Sequence, residues 1–229
     1  MPAVKYRHEL KHFINYSDYL QIKNRLKFIT SLDNFADKKT GRYKIRSLYF
    51  DNIYDKVLLE KINGVDNREK FRIRLYNDDS SFIRLEKKTK KNGLCQKLNA
   101  IITKEQCALI ISGSLGWIKE TDNPLLMEFY CKSKYQLLKP ATIVDYTREA
   151  YLYKVGNVRI TFDMNVRSGL YSKNIFDKDL PVADPISDNS IILEVKYDEF
   201  LPEIISNVIQ TNNKQATAIS KYASCRIYG

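Results

Sequence analysis

Residues 70–90, KFRIRLYNDDSSFIRLEKKTK, are two alternating segments joined by the polar, turn-forming run NDDSS. Read as a strand, the first places Lys70, Arg72, Arg74 and Tyr76 on one face and Phe71, Ile73 and Leu75 on the other, because strand side chains alternate with period two. In the second segment Phe82, Arg84, Glu86, Lys88 and Lys90 share a face opposite Ile83, Leu85 and Lys87. A hairpin brings the two charged faces together. Cations held at about 4 Å repel by roughly 4 kcal/mol per pair at an effective dielectric near 20, so a fold that gathers them needs carboxylates, water or a polyanion among them.

The pattern recurs on both sides of this hairpin. Upstream, VKYRHELKHFI from Val4 to Ile14 alternates, with Arg7, Glu9, Lys11 and Phe13 on one side. Ser17 is positioned to cap a helix whose stripe is Tyr19, Ile22, Leu26 and Ile29. Thr40-Gly41 turns the chain into a strand from Arg42 to Asp51, in which Arg46 is the expected ligand-facing cation. A loop or short helix follows around Lys56 to Gly64.

Downstream, Asn92-Gly93 marks a turn into a segment carrying Lys97. Thr103 and Gln106 form a capping-box pattern for a helix that Ser112-Gly113 ends. Asn123-Pro124 starts another, with Pro140 expected to end it. The strand ATIVDYTREAYLY follows, with Val144, Tyr146 and Arg148 on one side. VRITFDMNV then sets Arg159, Thr161, Asp163 and Asn165 against Val158, Ile160, Phe162 and Met164. Residues 168–189 read as an irregular loop. SIILEVKYD is a last strand holding Glu194 and Lys196. Pro202 opens a helix, the Thr211-Asn212-Asn213 run interrupts it, and a terminal helix holds Ser220, Lys221 and Tyr222.

With 229 residues the chain is long enough for one large β-rich domain, and a single domain over 1–229 is expected. A formal net charge of +11 and an isoelectric point near 9.3 favour anionic partners. Cys95, Cys107, Cys131 and Cys225 form no C-x-x-C pair, and the sequence opens with no signal-peptide pattern, so free thiols in a reducing cytoplasm are expected. No apolar run approaches the roughly 20 residues that span a bilayer, so membrane association would come through a separate membrane-protein partner.

An ordinary sandwich or small barrel turns its apolar faces inward. Here strand after strand contributes Arg or Lys with an occasional carboxylate, while several amphipathic helices need apolar surface to cover. An α+β fold satisfies both demands if an antiparallel β barrel is inverted in polarity, with a charged interior and an apolar exterior covered by helices. An open antiparallel sheet with helices on one face and a basic groove on the other satisfies them equally.

RHELKHFI, SLYFD, FRIRLY followed by RLEKK, the Y-x-R of Tyr146 and Arg148, the R-x-T-x-D of Arg159 to Asp163, LEVK at Leu193 to Lys196 and SKY at Ser220 to Tyr222 occur in one order along nearly the whole chain. In that order they resemble the VTC (vacuolar transporter chaperone) domain of polyphosphate polymerases, within the triphosphate tunnel metalloenzymes. The resemblance implies an antiparallel tunnel barrel, ATP or another nucleoside triphosphate as phosphoryl donor, Mn or Mg, and inorganic polyphosphate as acceptor and product. Carried over by position, the catalytic cations would be Lys11, Arg72, Arg74, Lys88, Arg148, Arg159 and Lys221. Lys97, Tyr146 and Ser220 would assist in binding substrate, as would Arg46 and Lys196, and Glu194 would hold the metal with support from Glu86. Forked guanidinium groups suit phosphate oxygens, and Lys adds a compact charge. The E-x-E-x-K signature of the related CYTH branch is not matched, since His8-Glu9-Leu10-Lys11 keeps one Glu, which disfavours a CYTH triphosphatase or cyclase.

Each cation taken alone reads as a solvated surface charge, and Glu194 as a salt-bridge partner of Lys196; the ordered set favours the site. Glu86 stands evenly between metal support and pairing with its neighbours. A basic nucleic-acid-binding module competes, but no RNP, zinc-finger or helix-turn-helix signature supports it and no nucleic acid is expected. An accessory polyphosphate-binding subunit and a triphosphatase of the same fold are further alternatives. The absence of G-x-x-x-x-G-K-[ST] disfavours a P-loop kinase.

Overall fold

The central hairpin forms as the alternation requires. In the computed structural model, which describes residues 6–185, 190–211, 215–216 and 219–228, β4 (Arg68–Tyr76) and β5 (Asp79–Lys91) pair antiparallel with Arg72 opposite Glu86 and Lys70 opposite Lys88. The turn between them uses Asn77 and Asp78 at positive φ, residues that tolerate the left-handed region. Outward from the hairpin lie β6 (Leu94–Ile102) beside β5 and β3 (Arg42–Asp51) beside β4. The sheet continues through β7 (Lys139–Tyr153), β8 (Val158–Ser168), β9 (Ile191–Tyr197) and β1 (His8–Ile14). Two short strands are added, β2 (Ser31–Leu32) on β7 and β10 (Gln215–Ala216) on β1.

Every pairing is antiparallel, and the eight long strands curl until the two end strands meet. Arg7 and Cys95 exchange both backbone hydrogen bonds, each 2.9 Å, joining the approach to β1 with β6. This bridge turns the sheet into a tunnel barrel, one of the two architectures the periodicity allowed.

The barrel is inverted as expected. Leu48, Phe50, Phe71, Ile73, Leu75, Ile83 and Leu85 point outward into one apolar cluster, covered by α3 (Lys104–Ser112) and α4 (Pro124–Tyr135) through Cys107, Ile110, Leu126 and Phe129. Phe50 and Phe71 both meet Phe129 edge to face, at 5.0 and 5.3 Å between ring centroids. A second outer cluster joins Ile160, Phe162, Leu193 and Val195 to Tyr19, Ile22 and Leu26 of α1 (Tyr16–Leu26) and to Ile205 of α5 (Glu203–Val208). A third contains the inward-facing Tyr43, Ile45, Tyr49 and Tyr146, against which α6 (Lys221–Ile227) packs Tyr222, Ala223 and Cys225. The remaining α-helix, α2 (Lys56–Ile62), follows β3. Among the described residues no helix is long and apolar enough to cross a membrane.

Local signals set the helix ends. Thr103 and Gln106 form a complete capping box, Gly113 closes α3 at φ 84°, and Asn123 accepts from the backbone of Leu125 and Leu126 ahead of Pro124. Two expected boundaries differ. Asn15 rather than Ser17 caps α1, because its extended backbone lets its side chain accept the Asp18 N–H at 2.8 Å. The α4 helix ends at Tyr135, before Leu137 at φ 56°, and Pro140 lies inside β7 beside the register shift at Tyr49 and Phe50.

Arg46 does not face the tunnel. On β3 the odd positions Tyr43, Ile45 and Tyr49 point inward and the even positions Leu48 and Phe50 outward, so Arg46 goes outward with them. There it is 2 % exposed and donates through Nε and Nη2 to Asp145 at 2.8 and 2.7 Å, and through Nη1 to the carbonyls of Ile175 and Asp177. It ties the long connection after β8 to the sheet. Removing one partner of such a buried pair leaves the other uncompensated, so Arg46→Ala is expected to lose about 3 kcal/mol of stability in urea unfolding. A stability unchanged from the parent chain would contradict this placement.

Candidate functional site

The tunnel interior holds a cavity of about 430 Å³, lined by fourteen Lys and Arg side chains and only three carboxylates among the described residues, Glu9, Glu69 and Glu194. That imbalance favours an anionic occupant. Nine of these cations stand in three groups, each backed by acid.

The first group lies on the central hairpin and β6. Glu86 is fully buried and receives Arg72 Nε and Nη2 at 2.8 and 2.6 Å, Lys97 at 3.2 Å and Arg74 at 3.6 Å. Burial opposes ionisation of Glu86, but Arg74, Arg72 and Lys97 hold it well below the usual carboxylate range. Arg72 also donates to the Tyr49 hydroxyl at 2.8 Å, and Arg74 to those of Ser47 and Tyr146 at 3.1 and 3.0 Å. Glu86 is not one of the residues that line the cavity; it is the shared counter-ion of Arg72, Arg74 and Lys97.

The second group joins β7, β8 and α6. Asp163 is fully buried; Arg148 meets it in a bidentate pair at 2.6 and 2.8 Å, and Lys221 joins the same carboxylate. Burial would raise the Asp163 carboxyl, yet Arg148 and Lys221 bring it down to about 2. The guanidinium of Arg148 and the amine of Lys221 lie 5.3 and 4.9 Å from the Tyr146 ring centroid.

The third group is a checkerboard on β1 and β9, where Lys11 lies opposite Glu194 and Glu9 opposite Lys196. Lys11 reaches Glu9 at 2.9 Å and Glu194 at 3.4 Å, Lys196 reaches Glu194 at 2.5 Å, and Lys88 crosses from β5 to Glu9 at 2.5 Å. Burial and the nearby Glu194 oppose ionisation of Glu9, and burial opposes that of Glu194, but Lys11, Lys88 and Lys196 hold Glu9, and Lys196, Lys11, Arg148 and Lys221 hold Glu194, well below the usual range. Next to Lys196 across the sheet, Arg159 donates to Asp33 at 2.5 Å and to the Tyr43 hydroxyl at 2.9 Å. Ser220 reaches the cavity while its hydroxyl caps α6 by accepting the Ala223 N–H at 3.3 Å.

Of the residues expected from sequence, Lys11, Arg72, Arg74, Lys88, Lys97, Tyr146, Arg148, Arg159, Glu194, Lys196, Ser220 and Lys221 line this one cavity, and Arg46 and Glu86 do not. Glu9, Lys70, Lys61, Arg68, Lys90, Tyr43 and Tyr49, none of them a site candidate from sequence, line it too. Period two alone signals Glu9 beside Lys11 and Lys70 beside Arg72. Lys61 sits on a helix, where that signal does not reach.

An antiparallel tunnel barrel with a cation-lined bore defines the triphosphate tunnel class. The VTC domain family matches residues 6–227, and the chain belongs to it. None of the curated proteins compared with the chain matches it. Among solved structures it is similar to a candidate adenylate cyclase from Bacillus halodurans, at 11 % identity and a TM-score of 0.51, over 84 % of this chain and 80 % of that one. It is also similar to a candidate adenylyl cyclase from Hippeastrum, reported to have a dominant triphosphatase activity, at 12 % identity and a TM-score of 0.51, over 96 % and 95 % of the two chains. At these identities the likeness is one of fold.

Lys70 has no carboxylate within ion-pair reach among the described residues; its amine lies 5.1 and 5.9 Å from the ring centroids of Tyr49 and Tyr222. Enclosure in the bore, with Lys88, Lys11 and Arg72 nearby, pulls it down to about 7. Burial would raise the Tyr49 phenol, but Arg72, Lys70 and Arg74 outweigh it and lower it to about 7. Raising the pH through this range removes a positive charge at Lys70 and adds a negative one at Tyr49, and both changes repel a polyanion. Between about pH 6 and about pH 8.5, tripolyphosphate affinity is expected to fall about tenfold relative to a Lys70→Arg, Tyr49→Phe double variant. Calorimetric titration checks this, and parallel profiles for the two proteins would contradict it.

Proposed function

We propose that this chain is a metal-dependent polyphosphate polymerase, transferring the terminal phosphoryl group of ATP onto a growing inorganic polyphosphate chain inside the cationic bore. The reading takes residues 1–229 as one tunnel unit. The observation that carries it is the convergence of paired guanidinium groups and lysines from seven strands and two helices on a single cavity with few carboxylates of its own.

Phosphoryl transfer depends on alignment and on stabilising charge spread over the phosphoryl oxygens. Arg72, Arg74 and Arg148 suit that task because Glu86, Asp163, Ser47 and Tyr146 fix their planes before any ligand arrives. Lys11, Lys88, Lys97, Arg159, Lys196 and Lys221 supply further charge along the bore. In the reaction a terminal oxygen of the acceptor chain attacks the γ-phosphorus of ATP, the bond from that phosphorus to the β-phosphate oxygen breaks, and ADP leaves. The attacking oxygen is already ionised, so no general base is needed.

The donor set fits a hard divalent cation. Glu194 and Glu9 are neighbouring ionised carboxylates on the cavity wall, and no cluster of three or more potential ligands occurs among the described residues. Two carboxylates completed by phosphate oxygens and water suit Mg or Mn. When bound there, such an ion supplies neutralisation of charge on the transferred group.

The test is incubation with ATP and Mn or Mg, with and without a short polyphosphate primer, and separation of products by length. The expected outcome is ADP with long chains, reduced about 100-fold or more by Arg72→Ala and by Glu194→Ala, the scale of losing one charge-stabilising group. ADP and orthophosphate without longer chains would make the protein a triphosphatase. Unchanged ATP would contradict both readings.

A further inference from the structure

Lys221 is the first residue of α6, a helix of only seven residues, too short to hold itself together without tertiary anchors. Asp163 attracts the Lys221 ammonium, but it also competes with any phosphate for it. What holds the helix itself is a contact one residue further on.

Asp51 ends β3 and is 2 % exposed. Its Oδ1 accepts the backbone N–H groups of Asn52 and Val57 at 2.8 and 2.9 Å, and its Oδ2 accepts that of Leu58 at 3.1 Å. These bonds fasten the start of α2 to the strand. The fourth bond leaves α2 altogether: the Tyr222 hydroxyl donates to Oδ2 at 2.5 Å. Burial and the Asp51 charge push that phenol up from its ordinary range, so it remains a donor. The Tyr222 ring is tilted against Tyr49 at 5.1 Å between centroids, and Arg226 on the same helix pairs with Asp55 beside α2. Strand β3, helix α2 and helix α6 are therefore joined at one carboxylate that does not line the cavity.

We propose that Asp51, acting through the Tyr222 hydroxyl, is a positioning residue that holds Lys221 where its ammonium is shared between Asp163 and a bound triphosphate. The proposal rests on the reading that Lys221 contacts phosphate. A hydrogen bond to an ionised group is strong enough to fix the register of a short helix. Without it α6 can shift, and Lys221 settles into an ordinary ion pair with Asp163.

The experiment is a double-mutant cycle on the full chain, with tripolyphosphate as the probe and calorimetric affinity as the readout, using Tyr222→Phe, Lys221→Ala and the combination. Tyr222→Phe is expected to weaken binding about tenfold when Lys221 is present and less than about twofold when it is Ala, because a group acting only through Lys221 has nothing left to position. Equal losses in both backgrounds, or no loss in either, would overturn the proposal while leaving the role of Lys221 intact. Wild-type affinity in Lys221→Ala alone would overturn the phosphate-contact reading, and the inference with it. If Tyr222→Phe melts below the assay temperature, Asp51→Asn runs the same cycle with the same outcomes, since its neutral amide carries no charge and one acceptor oxygen in place of two.

Discussion

The structure depends on buried carboxylates that stand behind the cations of the bore. Guanidinium and ammonium groups crowded on facing walls repel one another, and burial weakens the solvent screening that would spare them. Glu86 behind Arg72, Arg74 and Lys97, and Asp163 behind Arg148 and Lys221, sit where their charge is felt but where no ligand displaces them. They fix the cations in place and leave the cavity surface cationic. Glu9 and Glu194 differ, because they share the cavity wall with the lysines they neutralise and are open to exchange those partners for another cation.

A charged interior forces the rest of the architecture. The strands turn their Ile, Leu, Val and Phe residues outward, and the helices exist to keep that exterior from water. The apolar stripe of α1 covers β8 and β9, and α3 and α4 cover the hairpin side. The polar contacts outside the bore serve the same cover. Arg46 and Asp145 pin the connection after β8, and Glu149 on β7 accepts from the Tyr19 hydroxyl of α1 at 2.8 Å and from Tyr151 at 2.5 Å. An outward-facing ion pair is thus a fastening for a covering segment, whereas an inward-facing cation is left available to a ligand.

This division explains what was legible in the sequence. Alternation in β4, β5, β7 and β8 identifies the inner faces, because a strand that is apolar on one side and cationic on the other has one arrangement that buries the apolar side under helices. It fails at Arg46, where the residue type suggested the bore and the neighbours Leu48 and Phe50 already marked the opposite face. It fails differently at Glu86, which lies on the correct face but beneath its cations, a depth that period two does not encode. Closure of the sheet rests on the backbone pair of Arg7 and Cys95, and backbone pairing between remote segments leaves no side-chain signature. Lys61 reaches the cavity from a helix, through tertiary geometry alone.

A bore whose surface stays cationic despite its buried carboxylates is expected to bind a polyanion. Thermal unfolding with increasing tripolyphosphate, beside controls of orthophosphate and of sodium chloride at matched ionic strength, tests it most directly. A ligand that binds only the folded state stabilises it by about 2.7 kcal/mol at a hundredfold excess over its dissociation constant. The account predicts a saturable rise in melting temperature with tripolyphosphate that neither control reproduces. Equal shifts with chloride at the same ionic strength, or none with tripolyphosphate, would contradict it.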